Sequence, residues 1–191
     1  MSALLKSLKH AMAALAIGGG ATLGLAASGT ALAESRPVIF VGNNWDGTVN
    51  VFDSTSYARI GLINAVPDKR ARMTEILLNP IKLTAFQAVR NLIGEGNDQL
   101  VDDMYSSNDG RLLIASRPSF ADVVAIDIAT GKVVWRFVVD GYRSDHMALS
   151  PDGTQVAVSA STGNVVHVLD VNTGKQVGKF KSGNSPHENV Y

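Results

Sequence analysis

The chain has 191 residues, with 17 basic side chains, 17 acidic side chains and no cysteine. The balanced charge and the lack of a basic tract argue against a nucleic-acid-binding protein. Without cysteine there are no structural disulfides, thiolate metal sites or lipid-modified cysteine anchors, so an apolar core must hold the fold together.

Residues 1–33 have the organisation of a secretory signal peptide. Lys6 and Lys9 precede a long run of alanine, leucine, isoleucine and glycine that contains no acid, and small residues at 31–33 suit cleavage. A membrane anchor is the weaker alternative, because glycine, serine and threonine interrupt the apolar run. We therefore expect a periplasmic or secreted bacterial protein. Its mature part, residues 34–191, has a slight excess of acidic groups and no stable membrane span.

The mature part contains three related segments and one insertion. The segments occupy about 36–65, about 100–143 and about 144–186, and the insertion occupies about 65–96. In the first segment, IFVGNNWDGTVNVFD (39–53) aligns without a gap with VAVSASTGNVVHVLD (156–170) in the third. The second and third segments align at one constant spacing, which pairs Asp127 with Asp170. One spacing held over this length indicates an internal repeat.

The insertion predicts a short helix over residues 80–93. Asn79 suits the cap, Pro80 the first turn and Gly94 the exit. Four apolar residues fall on one helical face: Ala85, Phe86, Val89 and Ile93. We interpret the insertion as a surface elaboration, and a lid or a partner surface is the alternative.

Each segment predicts four short antiparallel strands. In the third segment these are His146–Leu149, Gln155–Ser159, Val165–Val171 and Gln176–Lys181, separated by turn residues. A repeat of this length with four strands is typical of a β-propeller blade. We therefore predict an all-β fold, a β-propeller of four-stranded antiparallel blades with a short helical insertion.

About three blades are present, which makes an incomplete ring, because propellers have about four to eight blades. Residues 187–191 align with the start of the third segment and predict the start of a next blade. We expect the chain to be the front part of a longer protein, which would supply the remaining blades. Assembly of several copies into a ring is the alternative.

Two resemblances support the propeller. FVGNNWDGTVNVFDSTS (40–56) is similar to the YVTN repeat of bacterial β-propellers, and VVHVLDVNTGKQVGKF (165–180) is similar to the same family's strand pattern. This resemblance implies an exported, seven-bladed, YncE-like protein with a binding role. AIDIATGKVVW (125–135) is similar to the tryptophan-docking repeat of quinoprotein dehydrogenases. That resemblance implies that Trp135 packs between blades, and it makes pyrroloquinoline quinone the less favoured of two cofactor predictions.

Polar residues recur where the innermost strand of each segment begins. The candidates are Asp102, Asp103, Asp145, His146, His187 and Glu188. In a propeller these corners converge at the central channel. There they can bind a divalent metal ion, hold a polar ligand or supply a general acid and base. A structural role, in which the acids accept hydrogen bonds from turn amides, is the favoured interpretation.

Other recurring residues are interpreted as structural anchors of the repeat. They are Asp53, Asp127, Asp170, Gly131, Gly174 and Trp135. His167 is interpreted as a packed or surface histidine. Arg117 and Ser119 lie in a blade loop where they could meet a ligand.

We predict a binding or scaffold protein of the cell envelope. It would hold a small molecule, a metal ion or an envelope protein at the channel face, and nucleic acid is not an expected partner. The alternative is an enzyme, either a lactonase-like metal-dependent hydrolase or a quinone-dependent dehydrogenase. No catalytic residue is assigned.

Overall fold

The computed structural model describes residues 36–191, so the predicted signal peptide and its cleavage site lie outside the described residues. The described part is mostly antiparallel β-sheet, with two α-helices and a short 3-10 helix. The all-β prediction is confirmed at this level. Neither described α-helix combines the length and the apolar character needed to cross a membrane.

The strands of residues 36–191 form three sheets in chain order. Sheet I contains β1 (Val38–Asn43), β2 (Thr48–Asp53) and β3 (Arg59–Asn64). Sheet II contains β4 (Met104–Ser106), β5 (Leu112–Arg117), β6 (Asp122–Asp127) and β7 (Val133–Val138). Sheet III contains β8 (Ser144–Leu149), β9 (Gln155–Ala160), β10 (Val165–Asp170) and β11 (Gln176–Lys181). Each strand pairs with the next along the chain, and none of these sheets closes on itself.

Sheet I has three strands, whereas four were predicted for each segment. The sequence alignment pairs residues 39–53 with residues 156–170, which form β9 and β10. β1 therefore corresponds to β9, and within the described residues sheet I lacks a counterpart of β4 and β8.

The insertion contains two helices, α1 (Lys69–Leu77) and α2 (Pro80–Leu92). The Asn79 side chain caps α2 by accepting hydrogen bonds from the backbone N–H groups of Ile81, at 3.0 Å, and Lys82, at 3.1 Å. Phe86 and Val89 are buried, but Ile93 is 47% exposed because it follows the helix. α1 was not predicted.

Sheet II lies between the other two sheets. One of its faces packs against sheet I, where Leu113 and Ile126 meet Val49. The opposite face packs against sheet III, where Leu112 and Ile114 join one core with Met147, Val158 and Leu169. Because side chains alternate between the two faces of a strand, a sheet covered on both sides needs apolar residues at nearly every position of its central strands. This explains the continuous apolar run of β5 and β6.

The same turn joins the last two strands of every sheet. Asp127 Oδ1 accepts hydrogen bonds from the Thr130 backbone N–H and hydroxyl, both at 2.9 Å, and Asp170 does the same with Thr173 at 2.8 Å. The bonds from Thr130 hold the pKa of Asp127 below its usual range. Asp53 makes the equivalent contacts with Ser56.

Trp135 joins sheet II to sheet III. Its indole N–H donates to the Val171 carbonyl oxygen at 3.0 Å, and its ring lies directly against Gly174 in the turn between β10 and β11. Glycine is required at residue 174 for two reasons. Its φ is +66°, which side chains rarely adopt, and a Cβ atom there would overlap the Trp135 ring.

The outer faces of sheets I and III expose apolar side chains. Ile39, Val41 and Leu62 lie on the face of sheet I that points away from sheet II, and they are 40–53% exposed. Phe180, on the corresponding outer face of sheet III, is 54% exposed. Both end sheets therefore present surfaces of the kind that sheet II buries.

Candidate functional site

Five of the six candidate residues form one group beside β4 and β8, the first strands of sheets II and III. We call Asp102, Asp145, His146, His187 and Glu188 the junction cluster. Asp102 lies two residues before β4, and Asp145 and His146 are the second and third residues of β8. His187 and Glu188 lie in the segment that follows β11. These positions come together because successive repeats start their inner strands at corresponding points of neighbouring sheets.

His146 lies between two carboxylates. Its Nδ1 is 2.9 Å from Glu188 Oε2, and its Nε2 is 3.9 Å from Asp102 Oδ2. The rings of His146 and His187 meet edge to face, with centroids 4.2 Å apart. One imidazole thus contacts acids from the preceding and the following repeat.

Asp145 is the buried carboxylate of the junction cluster, with 1% of its surface exposed. Its Oδ1 accepts a hydrogen bond from the His146 backbone N–H at 3.1 Å and is 3.7 Å from His187 Nδ1. Its Oδ2 forms an ion pair with Arg143. Arg143 Nη2 is also 3.9 Å from Asp102 Oδ2.

Arg143 was not predicted as a site residue. The corresponding position one repeat earlier is Leu100, which is fully buried. A polar residue therefore does not recur at this position of the repeat. Only the closeness of Arg143 to Asp145 in the sequence could have suggested that it belongs to the site.

The surroundings of the junction cluster raise two pKa values, for different reasons. Burial, and then the negative charge of Asp145, raise the pKa of Asp102 above its usual range. Burial opposes protonation of His146, but Glu188 and Asp102 outweigh it, and the net result is a raised pKa for His146. Asp102 Oδ2 is buried and accepts no hydrogen bond from residues 36–191. Three carboxylates against one guanidinium leave the cluster short of positive charge.

Asp103 lies outside the junction cluster and links the inner strands. Its Oδ1 accepts a hydrogen bond from the Met104 backbone N–H, and its Oδ2 accepts one from the Met147 backbone N–H of sheet III, both at 2.8 Å. Both carboxylate oxygens already accept these bonds. Its contacts are those expected for the structural interpretation.

Asp145, His146 and His187 are the set that can hold a metal ion. Each offers one ligand atom, and these three atoms lie within 4.8 Å of one another. Two imidazole nitrogens and one carboxylate oxygen form a ligand set that suits Zn²⁺ and related ions. The quinone cofactor stays a prediction, and Trp135, the residue that suggested it, is engaged in packing.

Arg117 and Ser119, which the sequence left open as ligand contacts, are buried and make internal contacts. Arg117 forms two hydrogen bonds to Asp122, at 2.8 and 2.9 Å, and two to Asp68 in the insertion, at 2.6 and 3.3 Å. Ser119 accepts a hydrogen bond from the Gln99 backbone N–H. These contacts fasten the insertion to sheet II.

His167 is also buried and internally bonded. Its Nε2 accepts a hydrogen bond from the Asp140 backbone N–H at 3.1 Å, and its Nδ1 is 2.7 Å from Gln176 Oε1. The two contacts give each ring nitrogen a hydrogen-bond partner. His167 therefore has the surroundings of a packed histidine.

No protein-family model and no curated protein sequence matches the chain significantly. Solved structures share its fold, among them hydrazine synthase from Kuenenia stuttgartiensis, with a TM-score of 0.53 and 16% sequence identity. The match covers 77% of this chain and 33% of that chain, so the chain spans about a third of the length of that protein. At this identity the likeness concerns the fold alone.

Proposed function

We propose that the chain forms consecutive blades of an exported, YVTN-type β-propeller that binds a cationic ligand where its junction cluster lies. Three features of residues 36–191 support the architecture. The sheets pack face to face in chain order, the outer strand of one sheet leads into the inner strand of the next, and the same aspartate turn recurs in each. The exposed apolar faces of sheets I and III offer surfaces for further blades, which a closed ring requires.

One observation carries the binding role: Asp102, Asp145 and Glu188, from successive repeats, surround His146. Like charges repel, so the fold brings these acids together at a cost, which a bound cation would offset. Arg143 compensates for only part of their charge. The buried and unbonded Asp102 Oδ2 is the oxygen that most needs a partner.

The side chains of the junction cluster range from buried to mostly exposed, which suits reversible binding of a ligand. Asp145 is buried, His146 is partly exposed, and the side chains of His187 and Glu188 are 61% and 65% exposed. A ligand can therefore enter from the side of residues 187 and 188 and approach the buried carboxylate. The hydrolase and dehydrogenase alternatives stay predictions, because nothing in this geometry requires turnover.

Thermal unfolding with and without cations tests the proposal. The full chain, carrying no polyhistidine tag, would be treated with EDTA and then heated with Ca²⁺, Mg²⁺, Zn²⁺ or spermidine. A ligand at a hundred times its Kd stabilises the native state by about 2.7 kcal/mol, which is a measurable rise in Tm. At least one cation should produce this rise, and Asp102→Asn should diminish it.

Asp46→Asn provides the matched control, because it removes an exposed acid from the β1–β2 turn, outside the junction cluster. The control should respond to the cation as the wild type does. If no cation changes the Tm, or if Asp102→Asn and Asp46→Asn respond identically, the chain does not bind cations at this cluster.

A further inference from the structure

We infer that the ligand is a transition-metal ion of the Zn²⁺ class, held by Asp145, His146 and His187, with Glu188 orienting His146. The inference rests on the proposed function and narrows its ligand from cations in general to one chemical class. The proposed site uses imidazole nitrogens as well as a carboxylate oxygen as ligands. Sites for Ca²⁺ and Mg²⁺ use oxygen ligands instead.

The spacing of the ligand atoms fits a tetrahedral ion. Bonds of about 2.1 Å in tetrahedral geometry place neighbouring ligand atoms about 3.4 Å apart. His187 Nδ1 and Asp145 Oδ1 are 3.7 Å apart, and the whole set lies within 4.8 Å. His187 is 61% exposed on a segment without regular structure, so its side chain has room to approach an ion held near Asp145 Oδ1.

The contact between His146 and Glu188 selects the nitrogen that faces the ion. A carboxylate that accepts the Nδ1 proton leaves Nε2 with a free lone pair, which is the arrangement of histidines that ligate metals. The 2.9 Å distance from Nδ1 to Glu188 Oε2 provides this arrangement. Glu188 thus acts as a positioning residue.

The opposite side of His146 supplies the second observation. Its Nε2 faces Asp102 Oδ2 across 3.9 Å, and that oxygen is buried without a hydrogen-bond donor among the described residues. Two electron-pair donors that face each other need a positive charge between them. A metal ion bound by Nε2 would bring a positive charge to this side of the ring, next to the unbonded Asp102 oxygen.

Arg143 limits how Asp145 can bind. The guanidinium forms an ion pair with Oδ2, which leaves Oδ1 as the single ligand oxygen. Its positive charge lowers the affinity, and the negative charges of Asp102 and Glu188 raise it. Coordination through one carboxylate oxygen is common for Zn²⁺, whereas Ca²⁺ requires six to eight oxygens.

Isothermal titration of the EDTA-treated, untagged full chain tests the inference. We expect one Zn²⁺ per chain, accompanied by proton release that is measured in two buffers of different ionisation enthalpy. His187→Ala should weaken Zn²⁺ binding at least 100-fold, and because this side chain is exposed the variant should fold normally. Asp145→Asn, which keeps the shape of a buried side chain, should have a similar effect.

Glu188→Gln distinguishes an orienting residue from a merely structural one. Loss of such a carboxylate typically weakens metal affinity about 10- to 100-fold. Glu188→Asp should restore part of it, and ¹⁵N shifts of His146 should show a smaller fraction of the Nδ1-protonated form in Glu188→Gln, because the neutral amide oxygen is a weaker acceptor than the carboxylate. Asp46→Asn, which removes the same charge elsewhere, should keep the wild-type affinity within about twofold.

Two results would overturn the inference. One is a Zn²⁺ affinity in His187→Ala equal to that of the wild type. The other is binding of Ca²⁺ or Mg²⁺ in preference to Zn²⁺, which would leave the proposed cation-binding function intact. If no cation binds the wild type, the inference and the proposed function fail together.

Discussion

Gly174→Ala probes the contact by which Trp135 joins sheet II to sheet III. Gly131 is the matched control, because it occupies the same turn position one repeat earlier and has the same φ of +66°. A Cβ atom at residue 131 would have no heavy atom within 4 Å. A Cβ atom at residue 174 would overlap the Trp135 ring and lie 2.8 Å from its Cγ.

The two substitutions share one cost and differ in another. An alanine in the left-handed conformation costs roughly 1–2 kcal/mol at either position. At Gly174 the ring of Trp135 must also move, and overpacking of this kind costs typically 1–3 kcal/mol. We therefore expect a loss of unfolding free energy of about 1–2 kcal/mol for Gly131→Ala and about 2–5 kcal/mol for Gly174→Ala.

Urea denaturation followed by circular dichroism measures both values. In a Trp45→Phe background, Trp135 becomes the only tryptophan and its fluorescence reports the local change. The excess cost of Gly174→Ala should disappear when Trp135 is replaced by leucine, with the proteins kept folded by trimethylamine N-oxide. Equal costs for the two alanine variants, within about 0.5 kcal/mol, would refute a tryptophan contact that holds the sheets together.

Three further predictions follow from other contacts. Tyr57 has φ +56° at the turn position that glycine occupies in the other repeats, so Tyr57→Gly should raise the unfolding free energy by up to about 1 kcal/mol in urea denaturation, and a loss would contradict this. Arg117→Met should lower the unfolding free energy by about 3–5 kcal/mol, because it removes the guanidinium that bonds both oxygens of the buried Asp122 and leaves that carboxylate with Arg136 alone, and a loss below about 1 kcal/mol would show that the pair contributes little. The pKa of His146, measured by NMR titration, should lie above 6.5 and fall in Glu188→Gln. Since the folded-state pKa is the raised one, the stability that protonated His146 contributes is complete below pH 6.5 and is lost as pH rises through the folded pKa; an unchanged pKa in Glu188→Gln would contradict this.

Local chemistry made several elements predictable. The turns at Asp127 and Asp170 are specified by the residues that form them, an acid followed by threonine and glycine, and the spacing between them is visible in the sequence. α2 begins with Asn79 and Pro80, which are signals that need no tertiary context. The clustering of the junction residues was expected because a repeat places corresponding corners near one another.

Other features depend on contacts that no local pattern encodes. α1 buries only Ile76 and has no side-chain cap, so packing against its surroundings, rather than its own sequence, determines it. Arg143 and Arg117 gain their roles from acids that the fold brings near. The prediction of four strands in the first segment was wrong for the described residues, because the aligned stretch 39–53 begins at the second strand of the repeat and no strand precedes β1 there.

The side-chain link made by Asp103 has a consequence for how this molecule can change. The Asp103 carboxylate joins β4 to β8 by bonding the Met147 N–H, and the Asn189 amide joins the segment after β11 to β8 by bonding the His146 carbonyl. The distance between β4 and β8 at this point therefore depends on the reach of one polar side chain. Asp103, His146 and Asn189 occupy one position of the repeat, so a substitution that brings a new side-chain chemistry to this position is tolerated only where its length preserves these hydrogen bonds.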